Sequence, residues 1–412
     1  MENILYVLHS GKTGGTFLIN EDLMKNIINS YEVYLLSAEN DFFVLYKYSN
    51  NNLNSIKKYP RKLKLNVDFE DSNLGEWSAK EFHNSWLIYI YFDILINYNI
   101  KLIHIRHLLN HSFDLPYVAK KLDIPVILSI HDFYFLCPFY VLLDENKNCC
   151  WGECSQNSDN CYVPMTSLED INSKKIISEW RLEVLKMFSN IDYFITTSDI
   201  VKKLFLSFFT DRKIINEKNF KVIEHGRDFP KINREYFEIP SLSKPIKILC
   251  PANHLNVMKG SEIIKNIKKE DKNNLLEFHF LGNCHDEIEN FGINHGTYER
   301  DEFYKKVKEI RPSYIGIFSI WPETFCNTIT EAWSCGIPVI GTNIGVVEDR
   351  IIKNNGGWII DKDNPKNAFK MILEISDDVD EYLNIVDNLK QMQFKTTLEM
   401  ANEYAKIYNS LL

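Results

Sequence analysis

An α/β fold with two domains is what this sequence predicts, and three observations carry it. Strand-length apolar runs alternate with helical stretches along the chain, from ENILYVLHS near the start to NPKNAFKMILEI near the end. The 412 residues exceed one typical domain and suit two of roughly 200 each. The stretch from Ser313 to Gly341, SYIGIFSIWPETFCNTITEAWSCGIPVIG, reads as strand, loop, helix, strand. That places its loop at the carboxyl end of a strand, where open α/β sheets bind ligands.

Two carboxylates, Glu323 and Glu331, stand eight positions apart in this stretch. Thr324 reads as a helix N-cap, so the amides of Phe325, Cys326 and Asn327 would point out of the helix start. Such amides, with the positive end of the helix dipole, suit an anion such as a diphosphate. Glu331 lies about two turns further on as a second acceptor for hydroxyl groups. Two acceptors flanking an anion hole fit a nucleotide sugar, which carries a diphosphate between two diols.

With Pro322 before it, EAWSCGIPVIG after it and Gly345 preceding Glu348, this stretch resembles the signature of retaining glycosyltransferase family 4. The resemblance implies the GT-B fold, two facing Rossmann-like, doubly wound parallel-sheet domains with a C-terminal helix crossing back to the first. It implies transfer of a sugar from a nucleoside-diphosphate sugar to an acceptor hydroxyl with retention, without a metal or other cofactor for catalysis.

Composition is that of a globular protein, 45% hydrophobic and 25% charged. A net charge of −9 argues against nucleic acid as the main partner. The opening MENILYVLHSG lacks a basic leader region and reads as a strand. The longest apolar run, WLIYIYF from Trp86, ends at Asp93, well short of the roughly 20 residues a membrane span needs. A cytoplasmic protein is the expectation.

Along the chain, ENILYVLHS is the first strand and GKTGGTF a glycine turn into a helix from about Phe17 to Ser30. Glycine there lets a ligand approach the backbone closely. The glycines Gly14 and Gly15 resemble the family's N-domain loop, which borders the donor sugar and diphosphate. YEVYLLSA and FFVLYKYS are strands. KKYPRKLKL, Lys57 to Leu65, holds five basic residues and reads as a solvated hairpin, with contact to anionic lipid at the inner membrane face as the other reading. A helix, Ala79 to Tyr98, precedes the strand KLIHIRH; a short helix after His111 precedes PVILSIHDF. His131, at the end of that strand, would hydrogen-bond a sugar hydroxyl; the resemblance gives the matching histidine the donor sugar near its reacting carbon.

The following segment, 137–161, holds five of the nine cysteines: Cys137, Cys149, Cys150, Cys154 and Cys161. Four clustered thiolates suggest a structural zinc site on Cys137, Cys150, Cys154 and Cys161, with Cys149 able to replace Cys150. Unpaired or redox-labile thiols are the alternative. The helix EDINSKKIISEWRLEVLKMFSN, the strand DYFITTS, a helix and the strand FKVIEHG complete the first domain. EHGRDF replaces a more usual I-P-N-G-V-D, and Arg227 there would reach a diphosphate.

A polar linker ends near Ser241. We therefore expect domains at 1–240 and 241–395, with the final helix at 396–412. The second domain opens on the strand IKILCPA, followed by NHLNVMKGSEIIKNI. Lys259-Gly260 matches the family's K-G, whose lysine binds the donor diphosphate; five positions earlier, His254 stands where arginine is usual. Either His254 is protonated by the phosphates or Arg227 supplies the charge. LLEFHFLGN is a strand, and a helix from Arg300 to Ile310 leads into the central stretch.

Taken together, Lys259, Arg227 and the helix start at Thr324 would stabilise the leaving diphosphate, Glu323 would hold the donor sugar and Glu331 the ribose. EHGRDF and PETFCNTITEAW resemble surface-polysaccharide transferases, which points to a glycan, protein-linked or lipid-linked acceptor. A catalytically silent GT-B subunit that binds a partner transferase, and a GT-B sugar-nucleotide epimerase, are the rival readings.

Overall fold

Successive strands that are apolar on both faces can only be central strands of a covered sheet. The computed structural model describes residues 1–9, 15–39, 41–61, 82–154, 173–230 and 235–412. Gly14, Cys161 and the basic run beyond Arg61 lie outside them. The chain divides into two units, Met1–Asp228 with Lys395–Leu412, and Phe229–Phe394.

In the first unit the elements run β1 (Glu2–Leu8), α1 (Gly15–Ile27), β2 (Tyr31–Ala38), β3 (Phe42–Ser49), β4 (Asn52–Pro60), α2 (Ser85–Asn97), β5 (Ile100–Ile105), α3 (Asp114–Lys121), β6 (Val126–Ile130), α4 (Ser173–Phe188), β7 (Tyr193–Thr196), α5 (Asp199–Phe208) and β8 (Phe220–Val222). Among the described residues they build one sheet in the order β4-β3-β2-β1-β5-β6-β7-β8. Central β1 and β6 are buried on both faces. β1, β2 and β5 to β8 are parallel, but β3 and β4 are antiparallel to their neighbours. That edge is a hairpin closed by Asn50 and Asn51, with φ of +54° and +58°. Both central residues of a tight hairpin turn must be left-handed, and asparagine tolerates this well. The basic run thus begins on an edge strand, where Lys57 pairs with Asp93 at 2.6 Å. Apolar α2 starts where the Asn84 side chain accepts from the amides of Trp86 and Leu87, a side-chain N-cap.

The second unit continues with β9 (Ile246–Pro251), a 3₁₀ turn (Val257–Lys259), α6 (Ser261–Glu270), β10 (Leu276–Leu281), α7 (Asp286–Glu289), β11 (Gly292–Asn294), α8 (Phe303–Ile310), β12 (Tyr314–Ile317), α9 (Asn327–Ser334), β13 (Val339–Thr342), α10 (Gly345–Asn354), β14 (Gly357–Ile360), α11 (Pro365–Asp377) and α12 (Val379–Gln391). All its strand pairs are parallel. The order β11-β10-β9-β12-β13-β14 is that of a dinucleotide-binding Rossmann sheet. Its direction of winding reverses between β9 and β12, so a crevice opens at their carboxyl ends.

The chain then returns to the first unit as α13 (Thr397–Leu411). Thr396 and Glu399 form a reciprocal capping box at its start. Its buried face carries Met400, Ala401, Tyr404, Ile407 and Tyr408. At about 1.5–3 kcal/mol per large buried side chain, that face anchors the helix. Polar contacts fix its register: the Tyr408 hydroxyl lies 2.8 Å from that of Tyr6 and 2.7 Å from Nδ1 of His104. The fold class is GT-B, two Rossmann-like α/β units with the terminal helix back on the first.

Candidate active site

The crevice of the second unit is built from three strand ends. After β9 the loop runs through His254; Asn256 caps the 3₁₀ turn by accepting from the Met258 amide at 3.0 Å; and the turn delivers Lys259. Gly260 must follow it. Its φ is +78°, and a Cβ there would stand 1.8 Å from the carbonyl oxygen of Phe318, just past β12. No side chain moves out of that clash, because the obstacle is backbone. Gly260→Ala is therefore expected to destabilise the protein by more than about 2 kcal/mol, whereas Gly296→Ala, at φ +71° with open space around it, should cost only the left-handed penalty of about 1 kcal/mol. Denaturant midpoints of the two variants check the contrast.

Glu323 approaches from the β12–α9 loop. Lys259 Nζ lies 2.8 Å from its Oε1, the Ser319 hydroxyl donates to the same oxygen at 2.8 Å, and the Trp321 indole N–H at 3.2 Å. Glu323 is 7% exposed. Burial works against the charge on Lys259, but Glu323 outweighs it and holds the ammonium above the ordinary lysine range. Burial and the adjacent Glu323 push the Cys326 thiol up to about 12, so it stays protonated.

Thr324 is not the cap of α9. The helix begins at Asn327, Cys326 occupies the N-cap position, and no side chain caps it. The reason is the backbone between: Glu323 and Cys326 have φ of +49° and +61°, which breaks any helical path from Thr324. Non-glycine residues hold such conformations only where their surroundings impose them. Arg350 of α10 imposes this one. Its guanidinium donates to the carbonyls of Phe325 and Cys326 at 2.8 and 2.9 Å and to the Thr330 hydroxyl at 2.8 Å, and covers the Phe325 ring at 4.0 Å. The Val346 amide donates to Pro322 O at 3.0 Å.

Lys259, His254, Glu323 and Cys326 line one cleft of ≈ 320 Å³, with Thr328 at the start of α9. Glu331 sits further along α9, 9% exposed and outside that lining. Buried Thr324 and Phe325 form the strained loop. Sequence reasoning missed Ser319, Trp321 and Arg350. Nothing local distinguishes Arg350 in GVVEDRI from a solvated helix charge.

In the first unit, histidines gather at the carboxyl ends of β1, β5 and β6. His107 accepts from the Leu109 amide through Nδ1 at 2.9 Å and donates from Nε2 to Asp132 at 2.9 Å. His9 lies ring-to-ring at 4.7 Å from His107; burial, then that neighbour, lower its pKa to about 3. His131 faces His225 at 5.7 Å between ring centres. Burial and then Arg106 keep His131 far below the usual histidine range, so it is a neutral hydrogen-bonding group. Gly15 opens α1, and Arg227, after β8, donates its amide to Lys395 O at 2.8 Å. These three belong to the first unit, and the Lys259 cleft to the second.

The cysteine-bearing segment is pinned to α4. The Trp180 indole donates to Tyr134 O at 2.9 Å, and Arg181 donates to Leu136 O at 2.9 Å and Gly152 O at 2.5 Å. Cys137 is buried, and Cys149, Cys150 and Cys154 are half-buried. Among the described residues, no group of three His, Cys, Asp or Glu is placed to hold a metal ion. No helix of the described residues is long and apolar enough to cross a membrane.

A Rossmann unit with a charged cleft at its switch point, joined to a second α/β unit, defines a protein with the GT-B fold. Residues 255–392 match the family model described as glycosyl transferases group 1. No curated protein matches the chain. Among solved structures, HepE from Anabaena in complex with UDP-glucose is similar at 13% identity and a TM-score of 0.62, over 100% of each chain. Sucrose-phosphate synthase from Thermosynechococcus elongatus is similar at 13% identity and 0.63, over 100% of this chain and 99% of that one. A glycosyltransferase from Rickettsia africae is similar at 16% identity and 0.62, over 100% and 98%.

Proposed function

We propose that this protein is a retaining glycosyltransferase that moves a sugar from a nucleoside-diphosphate sugar to an acceptor hydroxyl. The observation that carries the proposal is the Lys259–Glu323 pair, 2.8 Å apart in the cleft at the switch point of the second sheet. The family model covering this unit and the UDP-glucose complex of HepE support it.

Lys259 and the start of α9 receive the diphosphate, whose charge grows as the glycosidic bond breaks. Preorganised charge aimed at that site lowers the barrier. Glu323 has one oxygen engaged by three donors, which suits it to hold sugar hydroxyls rather than attack carbon; Glu331 takes the ribose. The roles towards the donor that the sequence reading gives Arg227, His131, Gly14 and Gly15 are part of this proposal. The leaving phosphate oxygen accepts the acceptor's proton. The chemistry uses no metal; a zinc on Cys137, Cys150 or Cys149, Cys154 and Cys161 would be structural. The acceptor is a glycan, protein-linked or lipid-linked, as in polysaccharide assembly at the inner face of a membrane.

Thermal shift with a panel of nucleotide sugars tests the reading. A true donor at a hundred times its dissociation constant should add about 2.7 kcal/mol of stability and be slowly hydrolysed to the nucleoside diphosphate. Stabilisation without hydrolysis or transfer would favour a silent binding subunit. No stabilisation by any nucleotide sugar would sink the proposal.

A further inference from the structure

His254 is 1% exposed and lines the same cleft as Lys259 and Glu323. Its backbone is pinned on both sides: its amide donates to Asn283 O at 2.7 Å, and its carbonyl accepts from the Ser261 hydroxyl at 3.3 Å. The ring lies edge-on to Phe280, 5.2 Å between centres. Nε2 is 3.1 Å from the carbonyl oxygen of Cys250. A carbonyl only accepts, so Nε2 carries the hydrogen. In a neutral ring Nδ1 is then a lone pair, not a donor. Nδ1 is buried with no partner among the described residues, a costly state for a polar atom.

The groups around the ring come from every neighbouring element: the Cys250 carbonyl of β9, Phe280 of β10, Ser261 of α6 and Lys259 of the 3₁₀ turn. Glu323 and Cys326 line the cleft from the β12–α9 loop. Burial disfavours the imidazolium, the bond to Cys250 O works in its favour, and Lys259 opposes it; the balance keeps His254 below the usual histidine range. The ring is therefore neutral and turns no donor towards an anion. Rotating it to offer Nε2–H would break the bond to Cys250 O. Protonating Nδ1 needs no movement and satisfies both nitrogens.

We propose that His254 couples donor binding to proton uptake: as the diphosphate enters, Nδ1 takes one proton from solvent and donates it as a charge-assisted hydrogen bond to a phosphate oxygen. This rests on the reading of the cleft as a diphosphate site. The sign follows from linkage. The complex binds more protons than the free protein, so affinity rises as pH falls, by up to about tenfold per pH unit between the bound and free pKa values, and levels off below the free value. A nucleotide sugar suits the test because its diphosphate is esterified at both ends and does not titrate near neutrality.

The test is calorimetric titration of the whole protein, near neutral pH, in two buffers of different ionisation enthalpy, with the nucleotide sugar that stabilises it most in the panel above. Wild type should take up close to one proton. His254→Gln should take up none, and the affinity of His254→Arg should be flat with pH. Long-range ¹H–¹⁵N spectra of wild-type imidazoles, free and bound, give the same answer without a variant: one ring should change from a neutral tautomer to imidazolium. Tight binding with no proton uptake, or uptake undiminished in His254→Gln, would overturn the inference while leaving the diphosphate site standing. Failure of every nucleotide sugar to bind either wild type or His254→Arg would remove the site itself.

Discussion

Replacing Lys259 by alanine should lower donor turnover by about 10²-fold or more, because one preorganised cation at a developing charge is worth several kcal/mol. Two effects add. The leaving diphosphate loses its counter-charge, and Glu323 is left as a buried carboxylate beside an incoming anion. Ser319 and Trp321 still donate to Glu323, so the loop should keep its shape and the loss should not be one of folding. Initial rates of nucleoside diphosphate release, with a melting curve as control, decide it. A folded variant within a factor of about two of wild type would remove Lys259 from the mechanism.

That lysine and Glu323 are 64 residues apart; Glu323 stood out in the sequence at the end of a strand, and Lys259 only through the resemblance of its K-G pair. Strand ends are marked by local pattern, and ligands collect there in open sheets. What brings them together is not local. β9 lies beside β12 because the sheet reverses its winding there, and no periodicity within either strand records that neighbour. The same limit explains the misplaced cap. Thr324 has the chemistry of an N-cap, and only the grip of Arg350 on the Phe325 and Cys326 carbonyls moves the helix start to Asn327. Arg350 acts from α10, two elements away. The antiparallel edge was half legible: β3 reads as a strand, but its partner β4 is mostly polar, and its turn rests on two left-handed asparagines. In the first unit, His131 was legible as a strand-end histidine. Its company of His9, His107 and His225 comes from three other segments that only the sheet assembles.

The two glutamates should separate when each is changed. Glu323 sits in the cleft, on strained backbone, with Oε1 held by Lys259, Ser319 and Trp321. Glu323→Gln keeps an oxygen for those three donors and loses only the charge. If Glu323 faces the reacting sugar, its charge matters most as that ring flattens and becomes cationic. The variant should then lower kcat by more than about tenfold while changing donor affinity by less than about threefold. Glu331 lies on α9 outside the cleft lining, assigned to the ribose, which does not change charge during transfer. Its contact should be alike in the ground and transition states, so Glu331→Ala should chiefly raise the donor KM, by about tenfold for one lost charge-assisted hydrogen bond, and leave kcat near wild type. Steady-state kinetics of the two variants against one donor separate the cases. The reverse pattern, with Glu323 moving only KM and Glu331 only kcat, would mean that the donor lies the other way round in the cleft. If both variants transfer sugar like wild type, neither carboxylate takes part, and the groups that hold the donor are other than these two.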